Sequence, residues 1–304
     1  MLGSQFSVPV LLLVFNRPET TRAVLESIKP IKPARVFVAA DGPRAGVPAD
    51  AARCKAAREI ATAIDWRCEL KTLYRDANLG CGHAVASALD WFFEGVPEGI
   101  VLEDDCVPSP SFFRFCEDLL QHYEDNARVM HISGHNFQYG RKRGDASYYF
   151  SQYAHGGGWA TWRRAWERFD FNLIPEPDRK HVWDAAWHLS IQKNGGVAVL
   201  PNVNLVQNIG YGPDGTHTRT MTRAALLPAH EMPFPLKHPR RIAVDPAADR
   251  LTYYANFRNV PDLRFIWVFQ LLDFVRLIPL RARKLLARLR GSKLPMHGAS
   301  RHPR

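Results

Sequence analysis

The densest chemistry in the 304-residue chain is Glu103-Asp104-Asp105, three consecutive carboxylates directly after the apolar run Ile100-Val101-Leu102. Like charges this close repel unless a cation or solvent separates them. Along an extended chain Glu103 and Asp105 project to one side and Asp104 to the other. One side could then hold a divalent cation bridging diphosphate oxygens while the other contacts a ribose or sugar hydroxyl. A solvated acidic turn is the plain alternative. The first apolar run, Val10–Phe15, ends in Asn16-Arg17-Pro18. No GxxxxGK[ST] occurs and no GxGxxG follows that run, so a phosphate there would meet an arginine and not a glycine cradle. Asp41-Gly42-Pro43 ends another apolar run, and an isolated Asp-Gly is most often a turn.

These polar ends need elements to position them. Short apolar runs alternate with helix-like segments, the pattern of an α/β domain around a mostly parallel sheet. Strands are expected at Val10–Phe15, Val36–Ala40, Leu70–Tyr74 and Ile100–Leu102. The intervening helices run from about Glu19 to Ile28, through an Ala- and Arg-rich stretch to Ile64, and over His83–Phe93, with a further start near Ser109 to Ser111. Polar or acidic residues therefore recur at strand carboxyl ends, where open α/β sheets place ligands. Pro228, Pro233, Pro235, Pro239 and Pro246 mark an extended wrap or linker. The expected division is a catalytic domain over residues 1–227, a Pro-rich wrap over 228–260 and a basic amphipathic helical tail over 261–304.

Composition narrows the classes. Apolar residues make up 46% and charged residues 23%, which excludes a disordered or collagen-like chain. The net charge is +10, but residues 261–304 hold ten Lys/Arg against Asp262 and Asp273, leaving the body nearly neutral. A neutral body argues against nucleic acid. A tail with Phe265, Trp267 and Phe269 before Pro279, then Arg281, Arg283 and Lys284, suggests in-plane contact with an anionic membrane surface and a cytoplasmic, peripherally associated protein. Packing of its apolar half onto the body is the competing reading. The five cysteines are odd in number and form no CxxC, favouring reduced thiols.

The ordered runs LVFNRPETTRAVLESI, VAADGPR, RDANLGCGHAVASAL, VLEDDCVPSPSFFRFCEDLL and GGGWATWRRAWE, over roughly residues 8–220, resemble the GT-A fold glycosyltransferases that use nucleotide sugars. The pattern is similar to that of the inverting N-acetylglucosaminyltransferase I type, whose metal motif is also Glu-Asp-Asp, and of bacterial sugar transferases. The resemblance implies a Rossmann-like, mostly parallel sheet flanked by helices. It implies Leu13 and Arg17 lining base and diphosphate, and Asp41 bonding uracil or its equivalent. Glu103 and Asp104 would contact sugar and ribose, and Asp105 would ligate Mn2+ or Mg2+. Gly157, Gly158 and Trp159 would shape the sugar and acceptor pocket. The Gly210–Thr218 loop would close over the donor, with His217 completing metal or diphosphate contacts; His83 and His155 have weaker cases.

The implied partners are a nucleoside-diphosphate sugar, with UDP favoured, and a glycan or lipid-linked acceptor; a cell-surface glycan is the expected context. The related enzymes carry Trp-Asp-Asp-Trp, with the second Asp as base. Here the segment reads Trp183-Asp184-Ala185-Ala186-Trp187, so Asp184 is the candidate base, on a helix face shared with His188. Glu176 and Asp170 remain alternatives. A catalytically silent membrane-surface scaffold on the same fold is the rival, motivated by that altered segment and the basic tail. A sugar-nucleotide pyrophosphorylase is disfavoured by the first loop, which lacks the expected glycines.

Overall fold

The computed structural model describes residues 5–211 and 227–254. Its first half runs β1 (Val10–Val14), α1 (Pro18–Ile28), β2 (Arg35–Ala40), α2 (Pro48–Ala61), β3 (Glu69–Tyr74), α3 (Cys81–Gly95), β4 (Glu98–Glu103), β5 (Cys106–Pro108) and α4 (Pro110–His122). The second half runs β6 (Val129–Ser133), β7 (Tyr148–Ser151), β8 (Trp159–Trp162), α5 (Arg163–Trp166), α6 (Glu176–Arg179), α7 (Asp184–Lys193), β9 (Val197–Pro201), β10 (Val206–Asn208) and α8 (Pro246–Thr252). Eight strands form one sheet in the order β3-β2-β1-β4-β8-β6-β9-β7, and β10 pairs with β5 apart from it. β3, β2, β1 and β4 are mutually parallel, as are β6 and β9, while β8 and β7 run antiparallel to their neighbours. The fold is thus mixed α/β with a large, mostly parallel sheet flanked by helices.

Both faces of the sheet are buried at β1, which is why β1 reads as an unbroken apolar run. Val10, Leu12 and Val14 join a core layer with Val24 and Ile28 of α1 and Phe112, Phe115 and Leu119 of α4. Leu11 and Leu13 face the other layer, with Leu89 and Phe92 of α3 and with Trp159, Trp183 and Trp187. Proline opens α1, α2 and α4, where a missing N–H costs nothing and the fixed φ suits a helix start. In α1 the buried Thr21, Val24, Leu25 and Ile28 form one helical stripe.

Residues 227–254 form a strap on the body. Met232 and Leu236 enter the core, Met232 N donates to Ser111 Oγ at 2.8 Å, and Val244 bridges Phe150 on edge strand β7. α8 is held by Asp249, which accepts from Ser151 Oγ and, at 3.0 Å, from Gln152 N. Residues 261–304, where a basic helical tail is expected, lie outside the described residues, as does His217. All five cysteines are free, and among the described residues no helix is long and apolar enough to cross a membrane.

Candidate active site

The carboxyl ends of β1, β2 and β4 open into a cavity of about 810 Å³. Leu13, Arg17, Asp41, Glu103, Asp104 and Asp105 all line it, together with Asn78, Gly80, Cys81, Lys180, Asn208 and Gly210. Strand order explains the convergence: β1 lies between β2 and β4, so three strand ends meet within one crevice.

At its floor Arg17 ties the acidic run together, NH2 donating to Asp104 and NH1 to Asp105 at 2.7 Å. This differs from the expected alternation of the three carboxylates. β4 ends at Glu103, and Asp104-Asp105 form the turn into β5, so the two aspartates reach one guanidinium instead of opposite faces. Phe15 N also donates to Asp104, at 3.1 Å. Burial opposes the charge on Arg17, but the two aspartates outweigh it and raise its pKa. Asp104 is raised by burial, with Arg17 opposing. Glu103 has no hydrogen-bond partner among the described residues: burial, and then the charge of Asp105, push it up to about 8 against the opposing charge of Arg17.

Asp105 is held from the other side by β10. Asn208 Nδ2 lies 3.4 Å from Asp105 Oδ1, and Ile209 N donates to the Asp105 carbonyl at 2.8 Å. A Cβ on Gly210 would stand 1.9 Å from Asp105 Oδ2, so glycine is needed for this approach. Among the described residues no three His, Cys, Asp or Glu side chains converge as a metal cage. One carboxylate facing a diphosphate-sized space nonetheless suits Mg2+-type ions, which take one or two carboxylates and fill the rest with phosphate and water.

Asp41 is filled by its own loop. Its oxygens accept from Gly42 N at 2.8 Å, Leu79 N at 3.0 Å, Gly80 N at 3.2 Å and Asn78 Nδ2 at 2.9 Å. Four donors match the capacity of a carboxylate. Asp41 therefore pins the loop after β3 to the end of β2 and presents Asn78 to the cavity.

Gly157, Gly158 and Trp159 stand behind the cavity and do not line it. Trp159 is fully buried on β8, stacked on His131 and Trp183 at ring distances of 5.0 and 5.5 Å. A Cβ on Gly157 would stand 2.0 Å from the His135 ring, and Gly158, at φ +69°, packs against Val206. Asp184 opens α7 and is exposed. Its charge acts on Glu103 and Cys81, which line the cavity, but Asp184 itself does not line it. Asp184 and His188 both lie on α7, one turn apart, and His188 is buried, stacked on Tyr153 and within 3.0 Å of Gln192 Nε2. Of the alternatives, Asp170 is paired with Lys193 and Glu176 with Arg179. His83 rests edge-on against Phe171, and the His155 ring against Phe137.

Sequence reasoning missed Asn78, Lys180 and Asn208. The stretch Asp76 to Gly80 stood out as a turn after a strand, but nothing local marks the other two.

No family model matches the chain, and no curated protein matches it in sequence. Among solved structures it is similar to HddC from Yersinia pseudotuberculosis complexed with GMP-PN, at a TM-score of 0.32 and 10% identity, over 62% of this chain and 98% of that one. It is also similar to an apo UDP-glucose pyrophosphorylase, at a TM-score of 0.39 and 10% identity, over 66% of this chain and 93% of that one. The functional reading rests on the cavity's geometry.

Proposed function

We propose that the chain is a GT-A-type glycosyltransferase, moving a sugar from a nucleoside diphosphate to an acceptor hydroxyl with inversion. The observation that carries this is the cavity at the strand ends, with its arginine-tied carboxylates. Its volume is in the range of ligand sites, which run to about 1,000 Å³. The Arg17–Asp104–Asp105 group keeps one net negative charge, so an incoming diphosphate needs added positive charge. Mn2+ or Mg2+ on Asp105, when bound, would supply it and neutralise the departing diphosphate. Glu103, whose carboxyl pKa is pushed up by burial, would face a sugar hydroxyl, and Leu13 gives the nucleoside an apolar wall. Asp184, whose charge acts on Glu103, takes the acceptor's proton as its oxygen attacks the anomeric carbon, and the bond to the diphosphate breaks with its electron pair leaving on phosphate.

The test is a panel of UDP-, GDP- and dTDP-sugars with Mn2+, followed by released nucleoside diphosphate. No release and no nucleotide binding would leave the scaffold reading standing. Asp105→Ala should abolish the metal-enhanced part of donor binding in a folded protein; equal donor binding with and without chelator in the wild type removes the metal from the scheme. Asp184→Asn should slow turnover by about 10²–10⁴-fold with donor affinity unchanged. Near wild-type turnover would pass the base role to another carboxylate.

A further inference from the structure

Most charged groups lining the cavity already have partners. Arg17 is bonded to Asp104 and Asp105, Arg44 to Asp50 through Nε at 2.6 Å and NH2 at 2.9 Å, and Asp41 to its four donors. Lys180 is different. It lines the cavity, is exposed, and its ammonium makes no ion pair or hydrogen bond among the described residues.

Its backbone, by contrast, is fixed. The Lys180 carbonyl accepts from Gly82 N at 3.0 Å, which clasps the segment after α6 to the first turn of α3. Two glycines permit the approach: a Cβ on Gly82 would stand 1.7 Å from the Arg179 carbonyl oxygen, and one on Gly80 would stand 2.6 Å from Lys180 Cγ. The aliphatic stem therefore lies over Gly80, beside the loop that Asp41 organises, with the charge at its free end.

We infer that Lys180 is a phosphate-binding residue of the donor site, its ammonium closing on the diphosphate from the rim opposite the Arg17–Asp104–Asp105 floor. The inference rests on the donor reading above and adds to it the residue that offsets the floor's negative charge.

Lys180→Met tests this, because methionine keeps an aliphatic stem over Gly80 and removes the charge. Calorimetric titration of the full chain with UDP, GDP, UMP and uridine gives the readout, alongside the thermal unfolding midpoint. The variant should unfold as wild type does, lose about ten- to a hundredfold in UDP and GDP affinity, and bind uridine unchanged. Lys180→Arg should restore most of the diphosphate affinity. If wild type binds the diphosphates and Lys180→Met binds them equally well at low salt, Lys180 is not a phosphate ligand and the donor reading survives. If wild type binds none of these nucleotides, the donor reading falls and this inference falls with it. Equal losses for uridine and UDP would assign Lys180 a structural role and overturn the inference.

Discussion

The carboxyl edge of the sheet has two halves that handle buried polar groups in opposite ways. Around β1, β2 and β4, carboxylates and cations share an open cavity, and Glu103 has no hydrogen-bond partner among the described residues. Around β6 and β8, His131 is buried against Trp159 and Trp187, His135 and His155 against Phe137, and His188 against Tyr153, and burial holds each imidazole below its ordinary pKa. There Trp187 Nε1 donates to His131 Nδ1 at 3.2 Å, His188 Nε2 lies 3.0 Å from Gln192 Nε2, and aromatic rings pack against both imidazoles. The first half keeps polar capacity for a ligand, whereas the second spends it on packing. A buried imidazole is therefore poor evidence of a site, and an open, unpartnered carboxylate is better evidence.

The sharpest way to break this contrast is Arg17→Leu. It leaves Asp104 and Asp105 buried without their cation, a loss of about 3–5 kcal/mol in denaturant unfolding, together with loss of nucleotide binding. A wild-type unfolding midpoint would show that the floor does not depend on the guanidinium. A pair of glycines separates the halves at smaller cost. Gly157→Ala drives a methyl into the His135 ring and should cost about 1–3 kcal/mol of stability with nucleotide affinity retained. Gly210→Ala drives a methyl into the Asp105 carboxylate and the Arg17 guanidinium that line the cavity, so nucleotide affinity should fall with it. The reverse pattern would erase the distinction.

The smallest effect per step is the pH dependence. His131, His135 and His188 have folded pKa values of about 3, about 4 and about 4 against an ordinary 6.5. The unfolded chain then takes up their protons first, so this stability is complete above about pH 6.5 and is lost as pH falls toward 4. Glu103 is the opposite case, about 8 folded against 4.5. The folded protein keeps a proton that the unfolded chain has released, so its contribution is complete below about pH 4.5 and lost as pH rises through 8. Each group adds at most about 1.4 kcal/mol per pH unit. In unfolding midpoints from pH 4 to 9, Glu103→Gln should flatten the alkaline limb and leave the acid limb intact; an unchanged alkaline limb removes Glu103 as its source.

The strands that build the cavity were legible because burial on both faces writes them as continuous apolar runs, and their polar ends showed in Arg17, Asp41 and Glu103. The expected strands at Val36–Ala40 and Ile100–Leu102 lie within β2 and β4. Side-chain alternation failed one residue later, since it holds only while the chain stays extended and β4 stops at Glu103. The four donors on Asp41 come from its own turn and from a loop 37 to 39 residues away, a tertiary contact that no local pattern encodes. The glycines before Trp159 read as a pocket loop because glycine marks close approach without saying to what. Here the neighbours are His135, Trp183 and Val206.

The strand order also sets a timetable for synthesis. β1 to β4 lie within residues 10–103 and pair only with one another on the β3 side, so that half of the sheet can assemble as soon as it leaves the ribosome. The free edge of β4, however, is covered by β8, which begins at Trp159. At about 5–20 residues per second that edge waits several seconds for its partner. In this interval a nascent chain presents a complete half-sheet with one sticky border, while α4, made before β8, can already pack on one face of β4.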